Sequence, residues 1–189
     1  MKYCTACGGA VGLRVPEGDS RERHVCLSCG LVHYQNPKIV TGCIPVWGER
    51  VLLCRRAIAP GRGAWTLPAG FMENGETSWQ GAVRETLEEA RARVAVDGPY
   101  TAFNLPHIDQ VYLFFRAHLL DPDFAPGEES LEVALFGEAE IPWGALAFPV
   151  VTETLRFYFA DRAAGVFRFR MGDITRQGGG QSGYRLSLL

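Results

Sequence analysis

Four of the six cysteines stand in two tight pairs, Cys4-Thr5-Ala6-Cys7 and Cys26-Leu27-Ser28-Cys29, with 18 residues between the pairs. Each Cys-x-x-Cys forms a knuckle that presents two thiolates, and two knuckles complete a tetrahedral site for Zn²⁺. Gly8 and Gly30 each follow the second cysteine of a pair, where the backbone must turn tightly and glycine turns at least steric cost. The alternatives are two unrelated pairs or two disulfides. Met1-Lys2-Tyr3 opens without the apolar stretch of a signal peptide. A cytoplasmic location is therefore expected, and the reduced thiols there favour zinc over disulfides. Four protein ligands make the site closed and structural. His24 competes for that role only in principle, since four cysteines already fill the site. Cys43 and Cys54 lie in strand-like surroundings and read as small buried hydrophobes.

Residues 1–34 thus read as a small zinc ribbon, and Gln35-Asn36-Pro37 as a linker. With 189 residues in all, the remainder suffices for one domain with its own core. The formal net charge of -2 supplies no broad excess of cations, so a general nucleic-acid binder is not expected, although Arg14, Arg21 and Arg23 leave room for a local patch. The longest unbroken apolar run, Val111 to Phe115, is too short to span a bilayer, so no membrane partner is expected. Ile39 to Trp47 and Val51 to Arg55 read as a hairpin turned at Gly48-Glu49-Arg50. A short strand follows near Trp65, then a helix over Thr77 to Ala92 whose apolar face is expected at Val83, Leu87 and Ala90. Strands are expected within His107 to Leu120 and over Val133 to Phe136, and a second helix over Val150 to Ala163. Residues 165–189, broken by Gly178-Gly179-Gly180, read equally as a hairpin or an unordered end. The architecture is α+β.

The first helix carries Arg84-Glu85-Thr86-Leu87-Glu88-Glu89. Glu85, Glu88 and Glu89 stand at i, i+3 and i+4, so three carboxylates share one helix face and repel. One reading is an ordinary solvated acidic face. The other is a site for hard divalent cations, which prefer carboxylate and water oxygens. In that reading Arg84 fixes one carboxylate by a forked contact.

The wider spacing distinguishes these readings. Gly70, Glu76, Arg84-Glu85 and Glu88-Glu89 fall at the offsets of G-x5-E-x7-R-E-U-x-E-E-x-G-U, and the segment resembles the box of Nudix hydrolases. Thr86 and Ala92 replace bulky aliphatic residues and Arg91 replaces the usual glycine. The resemblance extends over Tyr34 to Lys38, Trp65 to Gly75, Ser130 to Phe136 and Ile141 to Phe148, and is to the zinc-ribbon branch of the family, notably its FAD and ADP-ribose pyrophosphatases. The proline-rich signature of NADH pyrophosphatases is absent after the box, and Pro106 is similar to the proline of ADP-ribose pyrophosphatases.

The resemblance implies an α/β/α sandwich with a mixed sheet over residues 37–164, preceded by the ribbon. It implies a hydrolase that cleaves the diphosphate of a small nucleotide substrate, FAD or ADP-ribose, releasing AMP. Glu85 and Glu89 would be the principal ligands of Mg²⁺ or Mn²⁺, with Glu88 sharing the ion or its water shell and the Gly70 carbonyl adding an oxygen. Glu76 would stand behind them, pairing with Arg84. Glu132 is a candidate further carboxylate, as metal ligand or as base, against the plain reading of an exposed strand-end residue. Arg55 and Arg56 are candidates for substrate phosphate, against surface solubility. Trp65, Phe71 and Phe103 are candidates to stack on a flat ring, though each reads equally as core. A homodimer is expected from the relatives. The competing class is a non-catalytic ligand sensor whose ribbon binds a protein or nucleic acid, and the intact carboxylate set argues against it.

Overall fold

The computed structural model describes residues 1–177 and 183–189. The chain divides into two compact units, Met1–Pro37 and Lys38–Leu189. The triple glycine at 178–180 lies outside the described residues.

In the first unit, β1 (Val11–Arg14), β2 (Arg23–Cys26) and β3 (Val32–His33) form an antiparallel sheet in chain order. Almost nothing apolar is buried there. Cys4 and Cys26 are inside, whereas Leu13, Val15, Leu27 and Leu31 are exposed. A unit with so little core depends on its thiol cluster for folding energy.

The second unit is built on nine strands: β4 (Lys38–Trp47), β5 (Arg50–Arg56), β6 (Trp65–Thr66), β7 (Ala69–Phe71), β8 (Val94–Leu105), β9 (Gln110–Leu119), β10 (Ser130–Phe136), β11 (Arg170–Arg176) and β12 (Tyr184–Leu188). The order across the sheet is β10-β5-β4-β9-β8-β11-β12, with β6 on β5 and β7 on β4. Pairs β4–β9 and β8–β11 are parallel and the others antiparallel, which makes the sheet mixed. Two helices, α1 (Ser78–Ala90) and α2 (Pro149–Ala164), cover its two faces.

Strand alternation separates two cores. Ile44, Leu53 and Phe114 pack with Val150, Leu155, Tyr158 and Phe159 of α2. Their neighbours Cys43, Leu52 and Phe115 pack with Ala82 and Ala90 of α1. The α2 side is filled by large side chains and the α1 side mostly by small ones.

That contrast corrects one position of the expected face of α1, since Ala90 is buried and Val83 packs against the same core but Leu87 does not. Its buried residues are Gly81, Ala82, Thr86, Glu89 and Ala90, and Leu87 is half exposed. The helix lies too close to the sheet for a leucine seam: a Cβ on Gly81 would come within 2.7 Å of the Thr41 methyl. Thr86, fully buried, satisfies its hydroxyl on the Ala82 carbonyl at 2.8 Å. Strand β8 escapes the sequence reading because Asp97-Gly98-Pro99 looks like a turn. The sheet absorbs that segment as two register shifts against β9, between Val96 and Gly98 and between Pro99 and Thr101. Much of 165–189 proves to be sheet, with β11 parallel to β8 and β12 antiparallel to β11.

Candidate active site and its family

Helix α1 starts at a capping box. The Thr77 hydroxyl accepts from the Gln80 amide at 3.3 Å, and the Gln80 side chain accepts from the Thr77 amide at 2.8 Å. It ends on Arg91, which adopts φ 52°, ψ 20°, a left-handed conformation that glycine enters at less cost. Thr41 of β4 donates its hydroxyl to the Ser78 carbonyl at 2.6 Å and ties the first turn to the sheet.

Arg84 organises the acidic face. Its guanidinium forks onto Glu76 at 3.0 and 2.9 Å, reaches Glu85 at 2.8 Å and Glu88 at 2.9 Å, and donates to the Phe71 carbonyl at 3.1 Å. This contact holds the Glu76 carboxyl down at about 2, and the Glu73 amide adds a hydrogen bond of 2.7 Å. Glu85 lies over Gly70 so closely that a Cβ there would stand 2.3 Å from its carboxylate. Only glycine leaves that carboxylate its place.

Glu89 differs from its neighbours. It is 7% exposed and forms no ion pair among the described residues. Burial first, and then the charge of Glu85, push its carboxyl up to about 8, against a smaller opposing pull from Arg56. Burial also raises Glu85, partly offset by Arg84. These carboxylates open on a cleft of about 1220 Å³, which Arg56, Gly70, Glu128 and Glu129 also line.

The cleft separates the residues expected from the sequence. Arg56 lines it, with its guanidinium 5.1 Å from the Phe148 ring centre. Arg55 and Glu132 do not: they pair across β5 and β10 at 3.5 Å on an exposed face. A register shift between Ser130 and Glu132 decides which side chains of β10 face outward. The carboxylates that do enter beside α1 are Glu128 and Glu129, and the charge of Glu129 helps to raise both Glu85 and Glu89. Their loop docks on the end of α1, where the Gly127 amide donates to the Glu89 carbonyl at 3.0 Å. A Cβ on Gly127 would lie 1.7 Å from the Glu88 carbonyl oxygen. Pro126-Gly127 ahead of paired glutamates was the available sequence signal. Of the three aromatic candidates, Phe103 is core, Trp65 packs edge-on to Phe136 at 4.8 Å, and Phe71 alone lines the cleft.

Family comparison agrees with the geometry. The NUDIX domain family matches residues 36–155, and the Nudix N-terminal zinc-ribbon family matches residues 2–35. The chain belongs to the Nudix family. A Nudix hydrolase of Nitrosomonas europaea of known structure is 59% identical, with 93% of this chain and all of that one covered and a TM-score of 0.91. Among curated Nudix relatives, the NAD-capped RNA hydrolase NudC of Photobacterium profundum is 28% identical over 82% of this chain and 58% of its own length. An ADP-ribose pyrophosphatase of Methanocaldococcus jannaschii is 26% identical over 58% of this chain and 67% of its own. The chain spans only about half the length of the NudC proteins it matches, 58% and 46% for the first two.

In the ribbon of this Nudix protein, the sulfurs of Cys4, Cys7, Cys26 and Cys29 all lie within 4.8 Å of one another. Cys4 and Cys29 are 3.8 Å apart and Cys7 and Cys26 3.5 Å. A tetrahedron with Zn–S bonds of about 2.3 Å has edges of about 3.8 Å, so the four thiols fit zinc. Gly8 and Gly30 take φ of 72° and 75° behind the two knuckles. Amide N–H groups of Cys29 and Ser28 bring the Cys26 thiol down to about 6. His24 takes no part and stands 3.2 Å from the Met1 amine. No helix among the described residues is long and apolar enough to cross a membrane.

Proposed function

We propose that the protein hydrolyses the diphosphate bond of a nucleoside diphosphate derivative with a divalent cation, with ADP-ribose or FAD as substrate and AMP as a product. The observation carrying this reading is the donor set at one end of the cleft. Glu85, Glu88, Glu89 and Glu129 offer only oxygen, and Arg84 and Arg56 are the cations beside them. An all-oxygen, net-negative set suits Mg²⁺ or Mn²⁺ rather than a softer ion. Such an ion supplies charge neutralisation at the diphosphate and activation of the attacking water.

The chain's own groups have distinct tasks in this reading. Glu85 and Glu89 are the principal ligands, with the Gly70 carbonyl and the more exposed Glu88 completing the oxygen shell. Glu76 acts only through Arg84, holding the guanidinium in the position that sets Glu85 and Glu88. Arg56 meets substrate phosphate beside them. Glu129 takes the place considered for Glu132, as the carboxylate outside the helix that accepts a proton from water. Arg55 has no role in the site. The ribbon holds structural zinc.

Matched assays of ADP-ribose, FAD, NADH, NAD-capped RNA and 8-oxo-dGTP under Mg²⁺, compared by kcat/KM, test the assignment. Preference for ADP-ribose or FAD with loss on chelation is the expected result. Preference for NADH or capped RNA, the substrate named for the NudC relatives, would overturn the substrate and keep the chemistry. No hydrolysis of any compound would favour a ligand sensor.

A further inference from the structure

The C-terminal hairpin β11–β12 lies beyond the residues that match the NUDIX domain, which end at 155. Yet Ile174, Arg176 and Tyr184 line the same cleft as the glutamates. The topology explains how. The cleft runs along one end of the sheet, past the starts of β4 and β9 at Val40 and Gln110, the ends of β8 and β11 at Leu105 and Arg176, and the start of β12 at Tyr184. The acidic helix stands over β4 and β7. Strand β11 is three places from β4 and β12 four places. At about 4.8 Å per strand these separations are about 14 and 19 Å. A diphosphate held at the glutamates therefore reaches the hairpin only through a group attached to it.

The hairpin is held firmly. Arg170 forks onto Asp161 of α2, and Asn104 of β8 donates to Asp173 at 2.9 Å. The Tyr184 hydroxyl donates to Glu153 at 2.5 Å, so that hydroxyl is occupied and the ring is fixed. Arg176 is directly opposite Tyr184 in the β11–β12 register and is exposed. Among the described residues it makes no ion pair and no side-chain hydrogen bond. Opposed residues on one face have Cβ atoms about 5 Å apart, so ring and guanidinium form one surface. Leu105 and Ile174 complete an apolar floor beside it.

We propose that this hairpin is the nucleoside-binding wall of the cleft, with the base against the Tyr184 ring and Arg176 contacting the hydroxyls of the attached sugar. A fixed aromatic face takes a flat ring at little entropic cost, and a planar guanidinium adds charge and donors at its edge. The assignment rests on the diphosphatase reading for its catalytic readout, but not for its binding readout.

The full-length chain, wild type and as Arg176→Ala, Tyr184→Ala and Tyr184→Phe, is assayed with ADP-ribose and Mg²⁺. Binding of AMP and of ribose 5-phosphate is measured calorimetrically in chelator. Arg176→Ala and Tyr184→Ala should each raise KM about tenfold and keep kcat within about twofold. AMP affinity should fall in parallel, ribose 5-phosphate affinity should be unchanged in Tyr184→Ala, and Tyr184→Phe should stay near wild type. Arg176 is exposed, so its variant tests the wall even if Tyr184→Ala unfolds. Unchanged KM and unchanged AMP affinity in Arg176→Ala and a folded Tyr184→Ala would overturn the inference, as would equal loss of ribose 5-phosphate binding in Tyr184→Ala. If the wild type hydrolyses nothing but AMP binding still depends on Arg176 and Tyr184, the diphosphatase reading falls and the nucleoside wall stands. A wild type that neither hydrolyses ADP-ribose nor binds AMP overturns both.

Discussion

Glu89 and Asp161 are carboxylates buried to almost the same extent, 7% and 6% exposed, on opposite sides of one sheet. Asp161 accepts a forked pair from Arg170, the Tyr100 hydroxyl at 2.8 Å and the Arg168 amide at 3.1 Å. These partners, Arg170 foremost, hold its carboxyl well below the usual range. Glu89 has burial and like charge instead, and its carboxyl rises to about 8. One group is stabilised as an anion by the fold and the other is destabilised as one, which under the proposed reading a bound cation would offset. The same division runs through the two cores. The α2 side spends its volume on large side chains that hold the sheet together. The α1 side gives up volume to bring backbone, glycine and carboxylates into close register.

Activity is where the two sides should differ most. Glu85→Gln and Glu89→Gln should each lower kcat by about a thousandfold, about 4 kcal/mol of barrier, while the thermal midpoint holds or rises because a buried like charge is removed. Near-normal turnover in both variants would break the assignment of α1 as the metal helix. On the other side, Leu155→Ala empties a fully buried site on α2 and should cost about 3 kcal/mol in denaturant unfolding, with kcat per folded molecule unchanged.

Acidity should separate the two carboxylates by sign. The folded Asp161 carboxyl ionises at lower pH than in the unfolded chain, so its stabilisation is present above about pH 4 and is lost as pH falls further. Asp161→Asn should cost about 2 kcal/mol at pH 7 and flatten that acid limb. The folded Glu89 carboxyl is raised, so without metal its contribution is intact below the unfolded value of 4.5 and is lost as pH rises toward about 8. Urea midpoints of chelated protein from pH 5 to 9 should therefore decline in wild type and not in Glu89→Gln. Parallel curves would remove the contrast.

The smallest effect belongs to the end of α1. Arg91→Gly relieves a left-handed arginine and should stabilise by about 0.5–1 kcal/mol. A loss of stability would mean that the arginine side chain is needed where it stands.

The sequence reveals what is local and conceals what depends on distance. The three glutamates and Arg84 are legible because a single helix fixes their spacing, and Gly70 and Glu76 because a short loop does. Glu129 is not, because only the docking of the Gly127 amide on the Glu89 carbonyl brings it near. Glu132 pairs instead with Arg55 on an exposed face, and its position follows from the register of β10 on β5, which the sequence does not reveal. Strand β8 hides behind Asp97-Gly98-Pro99, whose turn chemistry the sheet overrides by bulging. The face of α1 is read in part: apolar periodicity finds Ala90 and Val83 but also Leu87, whereas close approach selects Gly81, Ala82 and Thr86. The zinc ribbon is the opposite case, since its four ligands announce themselves without any tertiary knowledge.

The parallel seam between β8 and β11 has a consequence for the order of assembly. Asn104 and Asp173 meet across 69 positions of chain. The hairpin β4–β5 closes through Gly48 and Glu49, and the acidic helix nucleates within its own few turns. Long-range pairing pays its loop-closure entropy before any contact is gained, so this seam, like the β4–β9 and β5–β10 pairings, should form after the hairpin and the helix. A growing or refolding chain therefore acquires its acidic helix well before the strands that line the far end of the cleft. Refolding followed by tyrosine fluorescence and by exchange protection of the β11 amides would show that lag directly.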